Sequence, residues 1–307
     1  MGIPAVVKAD QFVCQSINCQ QNITYSVMGC VLEKNDASAY QYVKYEIRDK
    51  VAFVTINRPE VLNALHPPTH RELEQIWRQY IRDENLCVAV LTGASDRAFC
   101  AGTDLKYRST KADQEQLGTA AAKSGHILDY CWKPIIAAVN GFAVGGGLEL
   151  ALHCDIIIAS ENAKFGFPEP RRGLLADEGG VVKILRRVPY HLAMGTILSG
   201  RIFNADEAYR IGLVNEIASQ EELMKAVSRW IDDLLQCSPL AIQAAKQVAK
   251  TSLDLDQDTA LNRMDTLDRV KALRLSEDYV EGPRAFAEKR EPVWTGKLRR
   301  EHFGRKI

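Results

Sequence analysis

PIIAAVNGFAVGGGLELALHCDIIIA, residues 134–159, runs from an apolar stretch through three consecutive glycines into a helical pattern and then into a second apolar stretch. The flanking runs, PIIAAVN and IIIA, are short and continuous, as strands buried on both faces are. Between them Leu148, Leu150, Ala151 and Leu152 surround a single acid, Glu149. Strand, loop, helix and strand in that order argue for an α/β architecture with largely parallel sheets. Gly145, Gly146 and Gly147 stand where the helix begins. A helix N-terminus presents unpaired N–H groups and a partial positive charge, so bare backbone there admits an anion or a developing oxyanion. The spacing is neither G-x-G-x-x-G nor a P-loop, which favours a carbonyl oxygen over a pyrophosphate. Close packing of helix on strand is the alternative use of the same glycines.

The pattern extends in both directions. YVKYEIRD and VAFVTINRP, beginning at Tyr42 and Val51, read as two strands of a hairpin. Thr69-His70-Arg71-Glu72 reads as a capping box opening a helix with Leu73, Ile76, Trp77, Tyr80 and Ile81 at helical spacing. CVAVLTG (87–93) is a further buried strand, AFCAGTD (98–104) a loop, and the Lys- and Gln-rich segment 105–125 a partly mobile helix. From Gly179 onward the patterns are helical: 180–187, 191–198, 205–212 opened by Asn204, 221–236, 239–251 and 257–275. Three parts follow: an extension over 1–41 with no sustained period, an α/β core over 42–235 and a helical region over 236–307. Met28 inside the extension offers an alternative start.

Composition limits the partners. The chain has 307 residues, 46% of them hydrophobic, enough to bury a large core. Lys+Arg and Asp+Glu both total 39, so no net field draws the protein to nucleic acid or acidic membranes. No stretch approaches the roughly 18 apolar residues of a membrane span, and no secretory signal opens the chain. Eight cysteines without C-x-x-C spacing, several in apolar runs, fit reduced thiols and a cytoplasmic location.

Glu149 is an acid on apolar ground, which is costly without a task. Twenty residues later Phe167-Pro168-Glu169-Pro170 holds a second carboxylate in a proline-flanked loop. Two such carboxyls can have their pKa values pushed apart, giving an acid and a base for proton transfer. Taken alone, Glu169 reads equally as a solvated loop charge. The thiol of Cys100 is a candidate nucleophile with no identifiable base.

Five segments in order, INRPEVLNAL, AFCAGTDL, KPIIAAVNGFAVGGGLELALHCD, GFPEPRRGLL and FAEKREPVW, resemble the enoyl-CoA hydratase (crotonase) superfamily from about Tyr42 to Lys297. FPEPRRGLLADEGG and SEDYVEGPRAFAEKREPVWTGK look most like its carnitinyl-CoA dehydratase-type branch. The resemblance implies a ClpP/crotonase-like spiral of ββα units with C-terminal helices that assemble a trimer, or a hexamer as two trimers. It implies an oxyanion hole from the backbone N–H groups of Cys100 and Gly146, with Ala101, Gly102 and Thr103 along the acyl-CoA path. Glu149 and Glu169 would be the catalytic pair, adding water to, or removing it from, the Cα=Cβ bond of an enoyl-CoA. Val61 and Leu62 would flank the nucleotide, and Phe286 and Lys289 would reach CoA from a neighbouring subunit. No metal and no separate cofactor is implied, since coenzyme A is part of the substrate. Isomerisation, other acyl-CoA chemistry of the superfamily and RNA binding are the alternatives. Ala176-Asp177-Glu178-Gly179-Gly180 departs from the Pro-Gly found there in many hydratases, and its two acids are candidates for contact with a polar acyl group.

Overall fold

The computed structural model describes residues 40–110 and 124–299. Most of the extension and most of the Lys- and Gln-rich segment lie outside the described residues, as do Met28, Cys14, Cys19 and Cys30. Among the described residues ten strands form two sheets. β1 (Val43–Arg48), β2 (Val51–Ile56), β3 (Val88–Gly93), β5 (Ile135–Val139), β7 (Ile156–Ser160) and β10 (Glu216–Ala218) make the larger, in the order β1-β2-β3-β5-β7-β10. β4 (Ala98–Cys100), β6 (Phe142–Val144), β8 (Lys164–Gly166) and β9 (Ile202–Asn204) make the smaller. The units β3-β4, β5-β6 and β7-β8 each send one strand to each sheet and then turn into a helix, which is the repeated ββα winding. The hairpin is present, Val43 pairing with Ile56 and Arg48 with Val51. β2, β3, β5, β7 and β10 run parallel to one another.

Alternation explains why the strands read as unbroken apolar runs. Ala89, Leu91, Ile135, Ala137, Val139, Ile157 and Ala159 face the main core, while Val88, Val90, Ile136, Ala138 and Ile158 face the opposite side. α1 (Pro67–Arg82) buries Leu73, Ile76, Trp77 and Tyr80 in the main core. On the other face α7 (Leu223–Leu235) covers the sheet with Leu223, Ala226, Val227 and Ile231. Each of the leucine, isoleucine and valine side chains, fully buried, contributes roughly 1.5–3 kcal/mol.

Several expectations need correction. α1 begins at Pro67, before the expected capping box, with His66 as its N-cap. The Thr69 hydroxyl faces the His66 ring at 2.6 Å, and the Glu72 carboxylate accepts from the Gln41 and Tyr42 amides, so both capping groups have other partners. Short strands β9 and β10 interrupt the region read as helical; three residues carry too little periodicity to register in a sequence. The helix expected over 257–275 is two, α9 (Gln257–Met264) and α10 (Asp268–Arg274). Asn204 does cap α6 (Ala205–Arg210), accepting from the Glu207 amide at 2.9 Å.

The remaining helices are α2 (Leu105–Arg108), α3 (Gly146–His153), α4 (Gly180–Ile184), α5 (Tyr190–Ser199), α8 (Pro239–Ser252) and α11 (Asp278–Glu288). α8 is tied to the core by two lysines: Lys246 reaches Asp155 at 2.5 Å and the Lys133 carbonyl at 2.8 Å, and Lys250 reaches the Asp129 carbonyl at 3.1 Å. Among the described residues no helix is long and apolar enough to cross a membrane.

Candidate active site

The N-terminus of α3 is the centre of the site. Gly145 turns the chain at φ 57°, a left-handed value that glycine adopts without strain, and its N–H donates to the Gly166 carbonyl at 2.9 Å. A methyl group on Gly147 would stand 1.9 Å from the Cys100 carbonyl oxygen, so β4 passes against the helix too closely for any side chain. The Gly146 amide is in the first turn, where the helix supplies no acceptor.

Two amides are candidates to face Gly146, those of Cys100 and Thr103. Cys100 is inside β4, paired with Ala143 of β6, and its carbonyl is packed on Gly147. Two residues on, Gly102 turns at φ 83°, and a methyl there would come within 2.9 Å of the Gly146 nitrogen. A methyl on Gly146 would stand 3.7 Å from the nitrogen of Thr103. The Gly102 carbonyl accepts from the Leu65 amide and the Asp104 amide donates to the Leu65 carbonyl, both at 2.7 Å, so the exposed Thr103 amide lies outside that pairing. Sequence spacing could not separate the two amides, because the choice depends on where the strand ends and the chain turns.

Polar side chains hold this turn. Arg58 pairs with Asp104 at 2.9 Å in a buried contact, and Asp104 caps α2 by accepting from the Tyr107 amide. Asn63 donates to the Ala94 and Ala98 carbonyls, and Asn140 to the Gly93 and Ala98 carbonyls. The sequence reading missed all four, since each acts through a fold-dependent neighbour. Leu62 is brought beside the acyl-path residues: its carbonyl accepts from the Ala101 amide at 3.0 Å. Val61 precedes it at the end of a short 3-10 turn.

Glu149 is on α3 one turn from the glycines and 3% exposed. Its Oε1 accepts from the Gly180 amide at 2.7 Å. Burial pushes its carboxyl up to about 7; the Gly180 N–H opposes the rise and the nearby Glu169 charge adds to it. Glu169 opens the 3-10 turn Glu169–Arg172 behind Pro168. A methyl on Gly145 would stand 2.9 Å from its Oε1, so the second carboxylate hangs over the start of the same helix. Burial raises its carboxyl as well, and its Oε2 is buried with no hydrogen-bond partner among the described residues.

The departure at residues 176–178 divides into three. Ala176 is buried. Asp177 is exposed, and its charge raises both Glu149 and Glu169. Glu178 turns inward, its carboxylate 3.7 Å from the His70 ring nitrogen Nε2. Burial pushes the Cys100 thiol up to about 12, which leaves it un-ionised and unsuited to nucleophilic attack. Phe286 is 87% exposed on α11, and Lys289 closes that helix in a left-handed conformation with its side chain exposed.

Two sheets of mainly parallel strands, wound as ββα units, carry a glycine-lined helix start flanked by two raised carboxyls. The chain belongs to the enoyl-CoA hydratase/isomerase family, matching it over residues 46–297. It is 40% identical over 256 residues to (E)-benzylidenesuccinyl-CoA hydratase of Thauera aromatica, covering 83% of this chain and 99% of that one. It is 38% identical over 253 residues to carnitinyl-CoA dehydratase of Proteus mirabilis, covering 81% and 97%. Among solved structures, enoyl-CoA hydratase from Mycobacterium tuberculosis H37Rv superposes with a TM-score of 0.76 at 36% identity, covering 83% of this chain and 99% of that one. Enoyl-CoA hydratase from Bacillus anthracis does so at 0.79 and 30%, covering 84% and 100%. The protein is thus an enzyme of the crotonase kind, acting on CoA thioesters.

Proposed function

We propose that the protein adds water to, or removes it from, the Cα=Cβ bond of an enoyl-CoA, with Glu149 and Glu169 as its acid–base pair. The observation that carries this reading is the pair of raised carboxyls at the start of α3, Glu149 buried and Glu169 half-buried. The thioester carbonyl sits between the Thr103 and Gly146 amides, which stabilise the enolate oxygen. That polarisation makes Cβ electrophilic. One carboxylate takes a proton from water as its oxygen bonds to Cβ, and the other, protonated, delivers a proton to Cα. Dehydration runs the same steps in reverse. A carboxyl poised near 7 exchanges protons readily at neutral pH, the condition general acid–base work requires.

The acyl group is a polar one. Asp177 stands exposed within electrostatic reach of both glutamates, and a rim of three carboxylates favours a neutral polar or cationic substituent over an anionic one. Two relatives are named for benzylidenesuccinyl-CoA and carnitinyl-CoA. Assembly is a trimer or hexamer, in which Phe286 and Lys289 of one subunit complete the CoA site of the next. The exposure of Phe286 supports this.

The test is turnover, in both directions, on a panel of enoyl-CoAs: crotonyl, branched, aromatic, carboxylate-bearing and trimethylammonium-bearing. Glu149→Gln and Glu169→Gln should each lower kcat by on the order of 10²–10⁴ with folding intact. Full turnover by either variant on the best substrate removes that residue from the mechanism.

A further inference from the structure

α3 ends at His153, one helical turn beyond Glu149, so the two side chains share a face. Both reach the same short loop. Glu149 Oε1 accepts from the Gly180 amide at 2.7 Å, and His153 Nε2 lies 3.1 Å from the Glu178 carbonyl oxygen. Gly179 stands between these clamps at φ 101°. His153 is 3% exposed, and its other nitrogen, Nδ1, faces Asp129 Oδ1 at 3.2 Å. Lys183 of α4 reaches the same Asp129 oxygen at 2.6 Å, and Lys250 of α8 stands 3.8 Å from it. The His126 ring lies 5.7 Å away, and a methyl on Gly125 would come within 2.6 Å of the imidazole, so the ring is gripped from that side too.

We propose that His153 is a positioning residue: by donating to the Glu178 carbonyl it fixes the loop whose Gly180 amide orients Glu149. The inference rests on the reading of Glu149 as an acid–base group. Asp129 and the Glu178 carbonyl both offer acceptors, so a neutral ring donates to one of them only; the proton is on Nε2, and Lys183 and Lys250 meet the Asp129 charge. Without the Nε2 donor the Glu178 carbonyl loses a buried partner and the loop relaxes. The Gly180 N–H then favours the Glu149 carboxylate less, and the carboxyl titrates higher.

Two substitutions separate the ring nitrogens. His153→Asn places its amide near Nδ1, facing Asp129, and loses the donor facing Glu178; His153→Gln keeps a donor near Nε2. The first readout needs no substrate: titration of the Glu149 carboxyl by carbon-13 NMR. His153→Asn should move it upward by about half a pH unit or more, and His153→Gln should leave it near the unmodified value. On the best-turned-over enoyl-CoA of the panel, His153→Asn should lower kcat about tenfold with KM within about twofold, and His153→Gln should restore most of it. In a Glu149→Gln background the asparagine substitution should cost nothing further in kcat. An unmoved Glu149 titration in folded His153→Asn overturns the proposal, and so do additive losses in the double variant. Should the asparagine variant not fold, His153→Leu carries the same expectations. If Glu149→Gln alone keeps full turnover while the titration still moves in His153→Asn, the catalytic reading of Glu149 fails and the positioning of its carboxyl stands.

Discussion

Replacing Glu149 by glutamine should raise stability at alkaline pH, because the native protein holds this carboxyl where ionisation is costly. The folded carboxyl titrates at about 7 against an ordinary value of 4.5, chiefly through burial. Between those values the folded chain binds more protons than the unfolded one, so stability falls as pH rises. At 1.36 kcal/mol per pH unit the full interval is worth about 3 kcal/mol, lost by pH 8 and retained below pH 4.5. Glutamine has a nearly identical shape, keeps an oxygen for the Gly180 amide and bears no charge to desolvate. The variant should therefore match the native protein near pH 4 and exceed it by about 3 kcal/mol at pH 8. At roughly 2–4 °C per kcal/mol this is a gain of about 6–12 °C in Tm. Thermal or urea denaturation at both pH values reads the difference directly. Equal stability of the two proteins at pH 8, with the Gly180 contact preserved, would refute the claim that burial dominates the environment of Glu149.

Other expectations follow from the same geometry. Asp177→Ala should shift kcat/KM toward crotonyl-CoA and away from a trimethylammonium-bearing enoyl-CoA by about tenfold, roughly 1.4 kcal/mol; an unchanged substrate ranking removes Asp177 from recognition. Lys289→Ala should raise KM more than it lowers kcat, the mark of lost uniform binding, and light scattering should report a trimer or hexamer. A fully active monomer would end that assignment. Gly147→Ala places a methyl 1.9 Å from a backbone oxygen and should cost about 3 kcal/mol or more, visible as loss of soluble protein or a lowered denaturation midpoint.

The sequence by itself determined the α/β class with its mainly parallel strands, and it marked out the two acids. Strands such as Ile135–Val139 are buried on both faces, so their residues are apolar without interruption and announce themselves. Glu149 is legible for the opposite reason, as a charge among leucines, and Glu169 through the prolines that fix its loop. The tertiary structure decided how the pieces meet. Which amide faces Gly146 depends on where β4 ends and on the turn at Gly102, which Asn63, Asn140 and Arg58 hold from distant positions. His153 looks like an ordinary helix residue until the fold sets Asp129 on one side of its ring and the Glu178 carbonyl on the other. Glu178 was one of two equivalent candidates until packing turned it toward His70 and left Asp177 outside. Apolar periodicity is a local property that a chain carries with it, whereas a hydrogen bond between residues 25 positions apart exists only once the chain has closed on itself.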